Sequence, residues 1–157
     1  MNEEKTSGAT RNEKIENVYH WDRSMDVAWA ASIRRPWAIG LQLSMMKIDV
    51  GHDVLLVGAR GYIEALVSQL VGPMGSVSVV SKDIAGINIC KRQVERSAPN
   101  KNIHYHRVVE SYNELEQWSK KFDAILAPTS RSFPEYLTSL LKDDGTLLAD
   151  IIVSIAD

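Results

Sequence analysis

The chain has 157 residues, a length that suits one domain with a single sizeable core. Its hydrophobic content of 45%, charged content of 24% and formal net charge of −2 are ordinary for a globular protein and argue against a nucleic-acid partner held mainly by phosphate contacts. One cysteine excludes an intramolecular disulfide, and no apolar run approaches the ~20 residues that span a bilayer, so we expect a cytoplasmic or other intracellular protein without a membrane partner.

The N-terminal third of the chain differs in composition from the rest. Residues 1–17 are polar and carry both charge signs, which predicts a disordered tail, and residues 18–157 are predicted to form one domain. Residues 18–50 contain three tryptophans spaced close to two helical turns apart, at Trp21, Trp29 and Trp37. This spacing predicts a tryptophan-rich helical cap of one or two helices, with an aromatic ligand pocket or a partner surface as the alternative.

From residue 51 onward the hydrophobic pattern alternates between strand and helix. Strands one to five are predicted at residues 54–57, 77–81, 103–109, 122–127 and 146–155. Helices are predicted at residues 62–71, 84–97, 113–119 and 133–141. Pro128 is expected to close strand four, and residues 143–145 are expected to form a turn. The alternation predicts that residues 51–157 form an α/β core, a parallel sheet covered by helices on both faces.

The turn after strand one reads Gly58-Ala59-Arg60-Gly61, between an apolar strand and an apolar helix. In α/β folds this turn is where a nucleotide-type ligand meets the backbone, and its glycines allow main-chain amides to approach that ligand. The turn is therefore the first candidate binding site in the chain.

Five ordered landmarks carry a family resemblance. They are Ser32-Ile-Arg-Arg-Pro36, Val50-Gly-His-Asp-Val-Leu55, Leu70-Val-Gly-Pro-Met-Gly-Ser-Val77, Phe122-Asp-Ala-Ile125 and Leu140-Leu-Lys-Asp-Asp-Gly145. In order and spacing the chain resembles the class I S-adenosylmethionine-dependent methyltransferases, and most of all the protein-L-isoaspartate O-methyltransferases. The resemblance implies a Rossmann-like fold with a five-stranded, mostly parallel sheet in the order three-two-one-four-five, flanked by helices and lacking the family's C-terminal strand hairpin. It implies S-adenosylmethionine as the cofactor.

The resemblance also implies where the cofactor would bind. The implied cofactor-binding positions are Gly58, Ala59, Arg60, Gly61, Ser81, Lys82, Asp83, Val109 and Glu110. The family's Gly-x-Gly-x-Gly turn is one residue longer than the turn here and has a middle glycine. Arg60 stands where the methionine part of the cofactor would lie, so it either pairs with that carboxylate or fills the pocket.

The other two cofactor motifs also depart from the family's pattern. The acidic residue that ends strand two and accepts hydrogen bonds from the ribose is replaced by Ser81, and Asp83 would substitute for it only after a register shift. The Gly-Asp-Gly segment after strand three is replaced by Val108-Val-Glu110, which puts Val109 at the aspartate position. We therefore expect S-adenosylmethionine to bind weakly or not at all.

Catalytic residues are not assigned by the sequence. The family's serine in Thr-Ile-Ser-x-Pro is replaced by Arg34, and Ser32 lies nearby, so these two residues are the catalytic candidates. His104 and His106 alternate along strand three, and we interpret them as solvent-facing residues and not as metal ligands, because no further ligand completes a site. No metal is expected.

Two functions remain open at this point. The first is a methyltransferase-like pseudoenzyme with lost or reduced catalysis that acts as a binding or assembly subunit. The alternative is an active S-adenosylmethionine-dependent carboxyl O-methyltransferase acting on isoaspartyl residues or another carboxylate. The apolar strand five, expected at an uncovered sheet edge, and the tryptophan region predict a homodimer or a complex with another protein.

Overall fold

A computed structural model describes residues 25–27, 31–33, 36–97, 101–130 and 133–151. The chain divides into two compact units, residues 1–41 and 42–157. The predicted tail, residues 1–17, lies outside the described residues.

The segment predicted as a helical cap, residues 18–50, contains strands as well as a helix. Strands β1 (Met25–Val27) and β2 (Ala31–Ile33) pair antiparallel, and helix α1 occupies Pro36–Met45. The prediction of one or two helices was therefore wrong at residues 25–27 and 31–33. Proline is favoured in the first turn of a helix because its missing N–H has no partner there, so α1 begins at that residue.

The second unit contains a five-stranded parallel sheet. Its strands are β3 (Asp53–Val57), β4 (Ser76–Ser81), β5 (Ile103–Arg107), β6 (Phe122–Ser130) and β7 (Leu141–Ile151). Their order is β5-β4-β3-β6-β7, and every neighbouring pair is parallel. The predicted order three-two-one-four-five is confirmed. Such a sheet brings the carboxyl ends of its strands to one edge, where α/β proteins bind ligands.

Two helices connect the first three strands of this sheet. Helix α2 (Tyr62–Val71) links β3 to β4, and α3 (Ile84–Ser97) links β4 to β5, both at the predicted residues. Each has apolar residues recurring on one face, and the buried members are Ile63, Val67 and Val71 on α2 and Ile87, Cys90 and Val94 on α3. The helical period of the apolar residues therefore predicted both where α2 and α3 lie in the chain and which face of each helix is buried.

The other face of the sheet is covered by shorter elements. The helices predicted at 113–119 and 133–141 are 3₁₀ helices, Tyr112–Gln117 and Glu135–Leu140. A capping box between Ser111 and Glu114 opens the first, and a bond from the Trp118 amide to the Leu115 carbonyl closes it at 3.0 Å. Both helices contribute to one buried cluster with the sheet, formed by residues such as Leu55, Val80, Leu115, Phe122, Ile125, Leu137 and Leu140.

Strands β6 and β7 differ from the sequence prediction in their ends. β6 continues through Pro128 to Ser130, because the register shifts between Ala127 and Ser130 and the missing proline N–H falls at this irregularity. The expected turn at 143–145 lies inside β7. Phe122 of β6 pairs with Leu141 and Ala124 pairs with Thr146, so the register shifts at these β7 residues. Residues 152–155, predicted as strand, lie outside the described residues.

Candidate functional site

The three predicted cofactor motifs lie side by side at the carboxyl edge of the sheet. The Gly58 amide donates to the Val80 carbonyl at 2.7 Å, and the Val108 amide donates to the Ser81 carbonyl at 3.0 Å. These bonds place the ends of β3, β4 and β5 next to one another. The topology thus brings together the residues that the sequence assigned to one site.

The turn between β3 and α2 depends on its two glycines. Gly58 has φ 95° and Gly61 has φ 73°, in the left-handed region that favours glycine. A Cβ added to Gly61 would lie 3.0 Å from Gln93 Oε1 and 3.6 Å from Cys90 Sγ, so α3 also packs closely against the turn. Both glycines are therefore required by the backbone, whether or not a ligand binds there.

Glu64 occupies the amides at the start of α2. Its side chain has no solvent exposure, and its Oε1 accepts a hydrogen bond from the Arg60 amide at 2.6 Å. Burial raises the pKa of the Glu64 carboxyl, and hydrogen bonds from the amides of Arg60, Glu64 itself and Gly61 oppose that rise. Its Oε2 has no hydrogen-bond partner in the part of the chain that the structure describes. The chain's own carboxylate thus fills the position where an external anion would meet the helix N-terminus.

A cavity of about 10 Å³ lies between the turn, α2 and β6, and its lining includes Gly58, Arg60, Ile63, Glu64 and Leu126. Such a volume holds one water molecule at most.

The Cys90 thiol and the Tyr105 hydroxyl are both buried, and the charge of Glu64 acts on both. Burial, followed by the charges of Glu64 and Asp83, raises the pKa of the Cys90 thiol to about 12. Burial and the Glu64 charge also raise the pKa of Tyr105, whose hydroxyl has no hydrogen-bond partner among the described residues. A buried thiol with a raised pKa is disfavoured as a nucleophile, because the thiolate is the reactive form.

Ser81, predicted to stand at the position of the ribose-binding carboxylate, ends β4. Ser81 is buried, and its Oγ accepts a hydrogen bond from the Asp83 amide at 3.1 Å. β4 keeps regular register through the pair of Ser81 with Arg107, so the shift that would let Asp83 replace Ser81 does not occur. The Asp83 carboxylate lies instead beside Gly86 in the first turn of α3, where an added Cβ would be 2.6 Å from Oδ2.

Lys82 connects the ends of β4 and β5. Its Nζ donates to the Glu110 carbonyl at 2.6 Å and lies 5.5 Å from the centre of the Tyr112 ring. The Glu110 and Ser111 amides donate to the Glu114 carboxylate at 2.6 and 2.9 Å, and bonds of this kind, led by that from Ser111, lower the pKa of Glu114. Val109, at the position of the family's aspartate, is 69% exposed and offers no polar side chain.

The two catalytic candidates belong to the part of the chain that precedes α1. Ser32 lies in β2 by its backbone, while its side chain and all of Arg34 lie outside the described residues. Among the described residues there is no group of three histidine, cysteine or acidic side chains that could hold a metal ion. In the same part of the chain, no helix is both long and apolar enough to cross a membrane.

Sequence reasoning missed the role of Glu64. The available signal was an acidic residue three positions after a glycine that precedes an apolar helix, a spacing at which a side chain reaches back to the helix N-terminus. Its burial could not be read from one sequence, since glutamate in a first helical turn is most often exposed.

Known proteins similar to this chain were found by sequence and by structure. A sequence model described as protein-L-isoaspartate(D-aspartate) O-methyltransferase matches residues 8–155. The protein-L-isoaspartate O-methyltransferase of Methanococcus vannielii is 22% identical over 139 residues, which cover 87% of this chain and 65% of the relative. The protein-L-isoaspartate O-methyltransferase of Methanothrix thermoacetophila is 24% identical over 141 residues, which cover 88% of this chain and 66% of that relative. The chain thus spans slightly less than two thirds of the length of these curated relatives.

Solved structures agree with the sequence matches. A protein-L-isoaspartate O-methyltransferase structure, 25% identical, superposes with a TM-score of 0.66 over 81% of this chain and 40% of its own. A second structure is of a Plasmodium falciparum protein of the beta-aspartate methyltransferase type, in complex with S-adenosyl-L-homocysteine. It is 19% identical and superposes with a TM-score of 0.70 over 84% of this chain and 67% of its own. The sheet order and these matches confirm the Rossmann-like class I methyltransferase fold, and the chain belongs to the protein-L-isoaspartate(D-aspartate) O-methyltransferase family.

Proposed function

We propose that this chain is a methyltransferase-like domain whose cofactor binding and catalysis are reduced or lost, and that it acts as a binding or assembly subunit. The observation that carries the proposal is the Glu64 carboxylate, which is bonded to the Arg60 amide at the start of α2. An S-adenosylmethionine carboxylate directed at this helix N-terminus would meet the buried Glu64 side chain there. Because Glu64 Oε1 already accepts from the Arg60 amide, that amide is not open to the cofactor.

The remaining cofactor positions support the same proposal. Ser81 supplies one hydroxyl where the family has a carboxylate for two ribose hydroxyls, and that hydroxyl already accepts from the Asp83 amide. Loss of the carboxylate should cost on the order of 1–3 kcal/mol, about a tenfold to hundredfold loss in affinity. The residues present therefore fit S-adenosylmethionine poorly.

The second candidate function is an active carboxyl O-methyltransferase acting on isoaspartyl residues or another carboxylate. Family membership and the fold favour it, because methyl transfer needs mainly positioning of two reactants and few titratable residues. Arg60 also lies at the turn with a cationic side chain that suits a carboxylate.

Calorimetric titration of the full chain with S-adenosylmethionine and S-adenosylhomocysteine separates the two functions. We expect no saturable heat at micromolar ligand. Low-micromolar binding would overturn the proposal and favour the enzyme. In that case Arg60→Ala should weaken binding if Arg60 holds the cofactor carboxylate, and strengthen it if Arg60 fills the pocket.

Removal of the internal carboxylate gives the complementary test. Glu64→Ala frees the Arg60 amide and the volume of a buried side chain, so acetate should raise the melting temperature of this variant more than that of the parent chain. Ile63→Ala, which removes a buried apolar side chain next to it, is the matched control and should not respond. Equal responses of all three proteins to acetate would contradict an anion site behind the turn.

The assembly role is assigned to the β7 edge of the sheet. β7 is the last strand in the described order, and its second half contains Leu147, Leu148 and Ile151. Such edges are completed by another chain or by a covering segment. We expect a homodimer or a stable heteromeric complex. A monomer by light scattering at high concentration, with no exposed apolar surface by dye binding, would count against this role.

A further inference from the structure

The opposite sheet edge is formed by β5. It pairs with β4 through five parallel residue pairs, from Ile103 to Arg107, and no described strand lies on its other side. Main-chain N–H and C=O groups of an edge strand point outward at alternate residues and can pair with another extended chain. Five residues give such a partner about 17 Å of strand to follow.

Two open clefts flank this edge, one on each face of the sheet. The first has a volume of about 580 Å³ and includes His104, His106, Trp118 and Lys120 in its lining. The second has a volume of about 810 Å³, shares both histidines and adds Lys91, Glu95, Lys101 and Tyr105. Both volumes are within the range of ligand-binding clefts. Glu95 is the one acidic side chain among the described residues that line them.

The positive charges along the edge are largely uncompensated. Lys91 and Lys101 have no carboxylate partner in the described ranges, and the Lys91 Nζ lies 5.7 Å from the centre of the Tyr105 ring. Lys120 differs, because its Nζ is 3.1 Å from Asp53 Oδ1. Burial, followed by the charges of His104, Lys120 and Lys91, lowers the pKa of His106, which is the response expected in a positive local potential.

We propose that an acidic, extended segment of a partner protein pairs with β5 along Ile103–Arg107. Successive side chains of an added strand point to opposite faces of the sheet, so they enter the two clefts alternately. Because each cleft contains lysine, Lys120 in the first and Lys91 and Lys101 in the second, carboxylates that enter either cleft meet a cation. The Trp118 ring, which contacts His106 edge-on at a centroid distance of 5.0 Å, provides an apolar wall for side chains between the carboxylates.

This inference rests on the proposed binding role but uses a surface away from the cofactor turn. The test is fluorescence anisotropy with a labelled decapeptide in which glutamate alternates with valine. Two control peptides are used: one with lysine in place of glutamate, and one with the glutamates kept and proline in place of valine. Proline keeps the charge but removes the donors that strand pairing needs. We expect salt-sensitive binding of the first peptide alone.

Matched charge variants locate the site on the protein. Lys91→Glu combined with Lys101→Glu should weaken binding by about tenfold or more, since both cations flank the edge. Lys47→Glu combined with Lys121→Glu changes the net charge equally and should leave binding within about twofold, because neither lysine lines the clefts. In NMR spectra the peptide should shift the amides of residues 103–107 most.

Three outcomes would overturn the proposal: equal binding of the proline peptide, equal loss in the two double variants, or amide shifts away from β5. Protection of the β5 amides in a dimer of the chain alone would assign the edge to a second copy instead. None of these measurements involves S-adenosylmethionine. If both the cofactor and the peptide bind, the proposed loss of cofactor binding is refuted and the proposed β5 surface stands. If neither binds, the β5 surface is refuted and the proposed loss of cofactor binding stands.

Discussion

The Glu64 carboxylate and the Arg60 amide are joined by a 2.6 Å hydrogen bond inside the turn that opens α2. Burial raises the pKa of this carboxyl above its usual range. A raised folded pKa means that Glu64 contributes stability fully below its unfolded pKa of about 4.5, and that the contribution is lost as pH rises through the folded pKa. The turn should therefore become less stable toward neutral and alkaline pH.

Glu64→Gln should remove this dependence. We expect the stability of the parent chain relative to Glu64→Gln to be greatest below pH about 4.5 and to fall as the pH rises above it, since glutamine keeps Oε1 but never ionises. Urea unfolding at several pH values measures it. Glu116→Gln, at an exposed site in the first 3₁₀ helix, is the control and should show no such trend. A constant difference between parent chain and Glu64→Gln across pH would contradict the assignment.

The sequence predicted most of the fold for identifiable reasons. α2 and α3 were located correctly because apolar residues recur with helical period and glycine, proline or asparagine punctuate their ends. Errors fell where local signals compete. Residues 112–117 contain too few turns for an α-helix to be distinguished from a 3₁₀ helix, and Pro128 was taken as a strand end although an irregular register accommodates it.

The sequence predicted where the candidate site lies on the sheet, but it did not predict the side-chain contacts within it. Strand–helix alternation alone implies that the ends of β3, β4 and β5 share one edge. It does not reveal that Lys82 bonds to the Glu110 carbonyl, 28 residues away, or that Glu64 turns inward. Such contacts depend on rotamers and on packing between elements distant in sequence, and one sequence contains no direct signal for either.

Asn102 should be a strong determinant of stability. It is buried, and its Nδ2 donates to the Gly72 and Gly75 carbonyls at 2.8 and 3.2 Å while its Oδ1 accepts from Ser68 Oγ at 2.6 Å. Asn102→Ala removes these three hydrogen bonds from a buried position and should cost about 2–4 kcal/mol of unfolding free energy. Chemical denaturation measures it. The exposed Asn113→Ala is the control, and an equal loss in both variants would show that these bonds contribute little.

A charge cluster at the amino ends of the strands should be sensitive to salt. Lys142 Nζ lies 2.8 Å from Asp123 Oδ2 and 3.5 Å from Asp53 Oδ2, and the Asp53 amide donates to Asp123. Burial opposes ionisation of Asp53, but its bonds with Ser76 and Lys120 and the nearby lysine charges give it a lowered pKa. Its contribution is therefore present above pH about 3.8 and lost as pH falls through the lower folded value.

Lys142→Met should leave the two carboxylates facing each other. Because Lys142 is partly exposed, we expect a loss of about 1 kcal/mol or less at low salt, reduced further in 1 M sodium chloride. Urea unfolding at both salt concentrations measures this difference. Lys101→Met, at an exposed site next to β5, controls for the removal of a lysine outside the cluster. If the loss of unfolding free energy does not change with salt, then Lys142 stabilises the protein through packing of its aliphatic stem and not through its charge.

Two glycine substitutions should have opposite effects because their backbones differ. Gly58 has φ 95° with no atom within 4 Å of an added Cβ, so Gly58→Ala introduces backbone strain without a clash and should destabilise by about 1–2 kcal/mol. Gly40 lies inside α1, also with open space around it, and Gly40→Ala should stabilise by about 0.5–1 kcal/mol. Each adds the same single methyl group, so chemical denaturation of the pair separates conformational strain from the effect of added volume. Stabilisation by Gly58→Ala would mean that the turn adopts a different backbone conformation, and the closure of the candidate site by Glu64 would then have to be reconsidered.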